Sequence, residues 1–291
     1  MSRFVDLTVS AVVLAGIYAT TAYGLGLIYG VLRVVNLAHG GAIMAGAYVS
    51  WVIFAQLGID PYLSIPAVLV FSFLLGVALY RGLVRRLPRG AAGGPASLLL
   101  LFGVWLVLRN IAYLVFSGND QTILTSYSLR SLAIGSVHAP LTRFVVLAIS
   151  RAIAVGLHFL LRRTMMGRAI RAVAQNPDSC TLVGISVERI YMLTFGIGTA
   201  LAGVAGALLA TMFSFNPTLG TPELLRSFAV VVLGGLGSIY GVLIAALIVA
   251  GAESYAVYIV PPYVTNAVGY LLLVVVLVVR PGGLFGQRVL A

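Results

Sequence analysis

The chain has 291 residues, of which 61% are hydrophobic and only 9% are charged. A soluble domain carries about 25% charged residues, so this composition excludes one and indicates an integral membrane protein. The net charge of +11 comes from 18 basic residues, all of them arginine, against seven acids. The arginines fall in short stretches between apolar runs, which argues against a nucleic-acid-binding face. A single cysteine, Cys180, excludes an intrachain disulfide and a cysteine-based metal cluster.

Apolar runs recur along the whole chain. The hydrocarbon core of a bilayer is about 30 Å thick and needs about 20 helical residues to cross it. The first run is too long for the core of a signal peptide, so we expect it to be retained as a span. The predicted spans lie at roughly 5–30, 41–58, 62–80, 96–116, 143–161, 190–213, 239–258 and 263–280.

A further apolar piece, residues 225–233, is too short to cross and stops at the glycine-rich segment 234–238. This pattern predicts a re-entrant half-helix that is surrounded by protein, because lipid cannot satisfy a broken backbone. The predicted fold class is therefore an all-α, polytopic membrane helical bundle of about eight spans plus this half-helix. Residues 1–291 are expected to form a single transmembrane domain.

Small residues recur at a spacing of four within the spans, a pattern that lets helices approach closely in lipid. The pairs are Gly26 with Gly30, Ala42 with Gly46, Thr199 with Gly203, and Ala202 with Gly206. They predict a tightly packed bundle.

Loop arginines predict the orientation of the chain, because they collect on the cytoplasmic side. Two arginine-rich loops, 81–90 and 162–189, are separated by two spans and are both expected to be cytoplasmic. The intervening polar segment 117–142 is expected to be external, with the N-terminus outside and the C-terminus inside. The arginines of the two loops are Arg81, Arg85, Arg86, Arg89, Arg162, Arg163, Arg168, Arg171 and Arg189.

Charged residues inside spans are costly and functional by default. Arg109 and Glu253 fall in the outer halves of their spans, and we predict that they form an ion pair. Arg151 falls near the middle of the fifth span, so either that span is shifted in register or Arg151 serves something particular to this protein.

A polar insert, GRAIRAVAQNPDSCTLVGIS, occupies residues 167–186. Its second half predicts a short helix, with Asn176 as N-cap, Pro177 at the first helical position and Asp178 near the positive end of the helix dipole. Gly184 is the expected C-terminal stop. About seven residues remain between these signals, fewer than the 12 to 15 at which an isolated helix is even marginal in water.

The short helix therefore needs something to dock against. Its apolar positions, Leu182 and Val183, are few, so we expect it to lie on the cytoplasmic surface and to be presented to another protein. A basic loop that only fixes topology is the alternative. The basic lead-in, the cap, the short helix and the glycine stop together make that alternative the weaker one.

Two groups of residues at membrane depth are candidates for lining a translocation path. The first, at the cytoplasmic junction of the first two spans, either lines the path or only caps the second helix, and we favour the structural role. The second, the glycine-rich break, either offers backbone groups to a zwitterionic substrate or forms a tight packing point or hinge. The residues are Asn36, His39, Gly40, Gly234, Gly235, Gly237 and Ser238.

Four blocks of the sequence resemble the branched-chain amino acid permeases of the ABC transporter superfamily, in the family's order. The blocks are GVLRVVNLAHGGAIMAGAYVS (30–50), TMMGRAIRAVAQNPDSCTLVGISVERI (164–190), FAVVVLGGLGSIYG (228–241) and RPGGLFG (280–286). The Asn-Leu-Ala-His-Gly block resembles the first, shorter permease type of such systems.

This resemblance implies a permease subunit in a bacterial inner membrane that imports branched-chain or related hydrophobic amino acids. It implies a second, related permease, two cytoplasmic ATPases and a periplasmic binding protein as partners, with no nucleic acid. The loop 162–189 would be the cytoplasmic coupling loop that contacts an ATPase. The coupling residues would be Gly167, Arg168, Arg171, Ala174, Asn176, Pro177, Asp178, Leu182, Gly184 and Ile185.

The residues agree with this division of labour. A phosphate-binding GxxxxGK[ST] loop needs a lysine, and the sequence has none. It also has no HExxH or GxSxG motif, so we predict no catalytic residues, no metal and no cofactor on this chain, with ATP and Mg²⁺ on the partner subunits. Import of urea or short amides, an ion-coupled secondary transporter and a membrane scaffold stay open as alternatives. Whether the pore is a homodimer or a heterodimer also stays open.

Overall fold

The computed structural model describes residues 2–88, 93–128, 130–134, 137–235, 238–259, 261–280 and 282–285. Within this part, helices are joined by short loops and one antiparallel hairpin. The helices are α1 (Ser2–Leu32), α2 (His39–Leu57), α3 (Ile65–Gly82), α4 (Gly93–Phe116), α5 (Leu141–Arg163), α6 (Met165–Gln175), α7 (Pro177–Leu182), α8 (Val187–Ala210), α9 (Gly220–Gly234), α10 (Ile239–Ala256) and α11 (Pro262–Val279). The strands are β1 (Ser131–Ile134) and β2 (Val137–Pro140), with Ser131 opposite Pro140.

The predicted helical membrane bundle is confirmed. Each predicted span coincides with a helix, and six of them, α1 to α5 and α8, are long and apolar enough to cross a membrane on their own. The apolar parts of the last two are shorter, at Tyr240–Ala256 and Ala267–Val279. The sequence pattern did not predict the hairpin, which lies in the segment expected to be external.

Helix α8 forms the centre of the bundle and packs against α1, α2 and α3. In its most apolar stretch 78% of the residues are buried, compared with 11% in the peripheral α4. Backbones approach closely at these contacts: a methyl group added to Gly46 of α2 would overlap the backbone of Gly203, and one added to Gly206 would overlap the carbonyl of Ile43. The predicted small-residue faces of α2 and α8 are therefore the faces that meet.

Loop contacts divide the bundle into two ends. At one end, the segment after α4 pairs with the turn after α8, where Gln121 and Phe215 exchange backbone hydrogen bonds of 2.7 and 2.9 Å. At the other end, Arg85 Nε lies 3.0 Å from Glu188 Oε1. That ion pair joins the two arginine-rich loops, so they share one end of the bundle, as the arginine pattern predicts.

Helix α2 does not begin where α1 ends. The chain leaves α1 at Leu32, passes Arg33 in the left-handed region (φ 55°) and runs without helix to the start of α2. Nε2 of His39 lies 3.0 Å from the carbonyl oxygen of Thr21, about 16 Å from the end of α1 at 1.5 Å per residue. His39 therefore lies deeper in the bundle than the junction of the first two spans where we expected it, because the chain turns back into the bundle before α2 begins.

Helix α9 is the predicted short helix. Its 15 residues span about 22 Å, too little to cross a core of about 30 Å. It begins at Gly220, earlier than the predicted start at 225. Gly220 and Gly40 are so close that a methyl group on either one would overlap the backbone of the other. The N-terminal ends of α2 and α9 thus meet in the interior of the bundle.

The close approach of α2 and α8 is tested by two matched substitutions. We expect Gly46→Ala to lower the free energy of unfolding by about 1–3 kcal/mol, because the added methyl group has no space against Gly203. Gly103→Ala, in α4, meets nothing within 4 Å and should be neutral or stabilising by up to about 1 kcal/mol through helix propensity. Thermal unfolding in detergent checks both, and equal effects would contradict the packing described.

Candidate functional site

Helix α6 is anchored to the end of α5. The side chain of Thr164 caps it by accepting a hydrogen bond from the backbone N–H of Gly167 at 3.0 Å. Gly167 is buried, and a methyl group there would overlap the carbonyls of Leu160 and Leu161. Ile170 and Val173 bury the inner face of α6 against the core. The sequence thus turns the chain sharply out of α5 and holds α6 against the bundle.

Helix α7 has the start that its sequence predicts. The side chain of Asn176 accepts a hydrogen bond from the backbone N–H of Ser179 at 3.0 Å, and Pro177 occupies the first helical position. Asp178 lies in the first turn, where a negative charge favours the helix dipole. These three residues give a defined direction to a helix of only six residues.

The end of α7 is a Schellman motif around Gly184. Gly184 has φ +81°, in the left-handed region that favours glycine. Its N–H donates to Thr181 O at 3.1 Å, and the N–H of Ile185 donates to Cys180 O at 3.0 Å, which is the paired pattern of this motif. The cap residue itself is Val183, so Gly184 follows the cap, and its predicted role as the stop is confirmed.

The predicted coupling loop has an apolar tip, defined as Leu182 and Val183, which are 87% and 74% exposed. Cys180 on the opposite side of α7 is buried and anchors it. Of the predicted coupling residues, Arg168, Arg171, Asn176, Asp178, Leu182 and Gly184 are exposed, Ala174, Pro177 and Ile185 are half-buried, and Gly167 is buried. Such a tip, ringed by polar side chains, is typical of a contact surface for another protein.

The two groups of candidate path residues lie far apart. Gly40 contacts the N-terminal end of α9, whereas Gly234 ends that helix and Gly235 and Ser238 follow it, about 21 Å away along the helix. Asn36 and His39 are 2% and 0% exposed, and Asn36 Oδ1 and His39 Nδ1 have no hydrogen-bond partner among the described residues.

The glycine-rich break is engaged within the chain. Gly235, at φ +89°, follows α9, and the N–H of Leu284 donates to Leu233 O at 2.8 Å. Ser238 Oγ accepts a hydrogen bond from the N–H of Gly241 at 3.0 Å and so caps α10. The predicted path residue Gly237 lies outside the described residues. For the rest, a role in the path stays a prediction.

A buried ionic cluster joins α1, α9 and α10, and the sequence pattern missed it. Arg226 contacts Glu223 on its own helix, and its Nε lies 3.3 Å from Glu253 Oε1. Tyr18 donates from its hydroxyl to Glu253 Oε2 at 2.7 Å, and its ring lies 5.4 Å below the guanidinium. Glu223 and Glu253 are each 4% exposed. Two carboxylates thus share this guanidinium inside the bundle.

The predicted pair of Arg109 with Glu253 is wrong. Arg109 lies over the rings of Trp105 and Tyr113, 5.4 and 5.5 Å from their centroids. Its helix, α4, packs against α2, whereas α10 packs against α1, α9 and α11. The Glu-x-x-Arg spacing of Glu223 and Arg226 was the available signal, since it places both side chains on one helical face.

Comparison with known proteins gives a consistent result. Residues 7–277 match the family model described as branched-chain amino acid transport system / permease component. The high-affinity branched-chain amino acid transport system permease protein LivH of Salmonella typhimurium is 32% identical over 301 residues, which cover 98% of this chain and 96% of the relative. LivH of Escherichia coli K12 is 31% identical over 297 residues, and BraD of Pseudomonas aeruginosa is 28% identical over 299, with the same coverage. No solved structure matches this chain.

Removal of the guanidinium tests how much the ionic cluster stabilises the bundle. We expect Arg226→Met to lower the free energy of unfolding by about 3–5 kcal/mol, because it leaves two buried carboxylates without their cation. Arg85→Met is the control: it breaks the pair with Glu188, but Arg85 is 62% exposed, so the loss should stay below about 1 kcal/mol. The unfolding of both variants in detergent is followed by fluorescence. Similar losses in the free energy of unfolding would contradict the structural role of the cluster.

Proposed function

The chain belongs to the permease component family of branched-chain amino acid transport systems, and on that basis we propose that it forms half of the translocation path of an ATP-driven importer. The substrate would be a branched-chain or related hydrophobic amino acid, the class that the names of its relatives give for those proteins. The observation that carries the proposal is the capped helix α7 with its exposed apolar tip, a device that serves contact with a second protein.

In this proposal the tip formed by Leu182 and Val183 docks on a cytoplasmic ATPase subunit. The ATPases, two in number, would bind ATP and Mg²⁺, since the chain has no lysine for a phosphate-binding loop. A periplasmic binding protein would deliver the substrate at the opposite end of the bundle. The inward direction of transport is part of this proposal and rests on the resemblance to branched-chain amino acid permeases.

The proposed orientation follows from arginine distribution. The end that carries the Arg85–Glu188 pair holds both arginine-rich loops and would be cytoplasmic, in a bacterial inner membrane. The end that carries the Gln121–Phe215 bridge would be periplasmic. The N-terminus of α1 lies at this second end, where Ser10 accepts a hydrogen bond from Arg143 at 2.7 Å. The C-terminus would be cytoplasmic.

Arg151 supports a heterodimeric pore. It is exposed near the middle of α5, and an arginine at the bilayer centre costs about 2.5–3.5 kcal/mol on insertion scales. Ala148, Ala152 and Gly156 are exposed on the same face and would let another helix approach. A second copy packed symmetrically on this face would bring two Arg151 side chains together. A related permease with a carboxylate at that depth would instead pair with Arg151.

An ion-coupled secondary transporter is a second candidate, and one observation favours it. Glu223 and Glu253 are buried inside the bundle, where coupling sites of such transporters lie. The exposed α7 tip has no use in such a machine, which needs no ATPase. Uptake into proteoliposomes that requires internal ATP and persists without an ion gradient supports the importer, and the reverse dependence supports the secondary transporter.

Docking of α7 is tested by a charge placed in its apolar tip. We expect Leu182→Asp to abolish retention of the ATPase subunits in the purified complex and to lower binding-protein-stimulated ATP hydrolysis at least tenfold, because a carboxylate would be desolvated at the contact. The fold should be unaffected, since Leu182 is 87% exposed. Leu57→Asp, at a leucine 66% exposed at the other end, is the control and should retain the ATPases. Normal retention by Leu182→Asp would reject α7 as the coupling contact.

The role of Arg151 is tested by reversing its charge. We expect Arg151→Glu to lose co-purification with the partner permease, because it would face a carboxylate at low dielectric. Arg86→Glu makes the same charge change in an exposed loop and should leave the pair intact. Monodisperse Arg151→Glu protein that still binds the partner would show that another face forms the permease contact.

A further inference from the structure

A cavity of about 450 Å³ is lined by α1, α8, α9, α10 and α11 and by the turn after α8. Its size is within the range of pockets that hold small molecules. Its lining includes residues near the N-terminal ends of two helices, Leu7 of α1 and Thr265 of α11. The ionic cluster lines the cavity together with apolar side chains. Leu14, Leu209, Phe213 and Leu219 belong to its apolar walls.

The charged groups that line this cavity are unbalanced. They are the carboxylates of Glu223 and Glu253 and the guanidinium of Arg226, so the ionised cluster carries one net negative charge. Glu253 uses both oxygens, one toward Arg226 and one toward Tyr18. Glu223 uses Oε1 toward Arg226, and its Oε2 has no hydrogen-bond partner among the described residues although the side chain is 4% exposed.

A second polar atom in the cavity lacks a partner. Ser254 is 6% exposed, lines the cavity beside Glu253, and its Oγ makes no hydrogen bond within the described part of the chain. Buried polar atoms are nearly always hydrogen-bonded in folded proteins, and an exception requires an explanation. A carboxylate oxygen accepts and a hydroxyl donates or accepts, so a ligand bearing N–H groups and positive charge would satisfy both.

We propose that this cavity binds an aliphatic amino acid by its ammonium group, which lies between Glu223 Oε2 and Ser254 Oγ while the aliphatic side chain contacts the leucine-rich wall. An ammonium supplies three donors and places a positive charge beside the carboxylate of Glu223. The apolar walls exclude strongly hydrated cations and favour a branched aliphatic group. This inference rests on the proposed function and deepens it, because it gives the permease its own site for the substrate.

The experiment uses the assembled transporter in nanodiscs without the binding protein, so that the site on the permease is observed directly. A ligand that binds only the folded state raises the unfolding temperature in a concentration-dependent way. The probes are L-leucine, 3-methylbutylamine, which keeps the ammonium but lacks the carboxylate, and 4-methyl-2-oxopentanoate, which lacks the ammonium. We expect the first two to raise the unfolding temperature at millimolar concentration and the third to leave it unchanged.

Two variants and two controls locate the effect. Glu223→Gln should weaken leucine binding about tenfold or more, since it removes a charge-assisted hydrogen bond, and Ser254→Ala should weaken it less. Ser150→Ala removes another buried hydroxyl without a described partner, away from the cavity, and should retain the full leucine shift. Asp120→Asn, in an exposed loop, is the matched control for the lost charge and should also retain it.

The inference is overturned if leucine produces no shift in the wild type, if the oxo acid shifts it equally, or if Glu223→Gln keeps the wild-type affinity. Should Glu223→Gln not fold, Ser254→Ala and the three probes on the wild type decide. ATP hydrolysis stimulated by the loaded binding protein is measured on the same wild-type sample. Its absence would reject the importer while a leucine shift remained, and its presence without a leucine shift would reject only the cavity.

Discussion

The close backbone approach of α8 to its neighbours is the constraint on which the bundle depends. In lipid, apolar side chains gain nothing by leaving their surroundings, so helices associate through packing. An added methyl group on Gly206 would overlap the carbonyl of Ile43 in α2, and one on Gly203 would overlap Ser72 in α3. Gly198 plays the same part toward α1, where a methyl group would overlap the carbonyl of Gly24. Dispersion contacts are short-ranged, so the energy of the bundle is concentrated along this helix.

Two interrupted helices follow from that tight centre. Helices α2 and α9 begin inside the bundle, where their first N–H groups have no intrahelical partner. Such backbone breaks are tolerated at membrane depth only within protein or beside a water-filled cavity. Gly40 and Gly220 allow the two starts to touch, and α9 then carries Glu223 and Arg226 into the interior. Charged side chains are thereby placed at membrane depth by a helix that is too short to cross the membrane.

Sequence patterns were sufficient where the controlling interactions are local. Asn176 caps α7 through a backbone N–H only three residues away, and Gly184 ends that helix by its own backbone conformation, so both could be predicted. Span length is likewise a property of a continuous segment. The start of α9 was missed because Gly-Thr-Pro-Glu, residues 220–223, has the polarity of a loop, and its burial depends on helices distant in the chain.

Sequence patterns could not predict which helices are neighbours in the bundle. Arg109 and Glu253 have similar predicted depths, but depth does not say which helices are neighbours, and α4 and α10 lie against different ones. The depth of His39 was also misjudged, because the six residues after α1 have no periodicity that would reveal a chain doubling back. Packing between segments distant in the chain decides both the pairing of Glu253 and the depth of His39. Local sequence patterns carry little information about such packing.

The position of α6 gives the bundle a mechanical property. Helix α7 contacts α6 and α8, and α6 in turn contacts α5, α1 and α8. A displacement of α7 would therefore act on three long helices, with α6 held against α5 at the close contact of Gly167. Helix α1 has 31 residues and is about 46 Å long. A tilt of about 5° at its inner end would displace its outer end by roughly 4 Å. Helix α1 thus contacts α6 and also lines the cavity with its N-terminal half, so such a tilt would move one wall of the cavity.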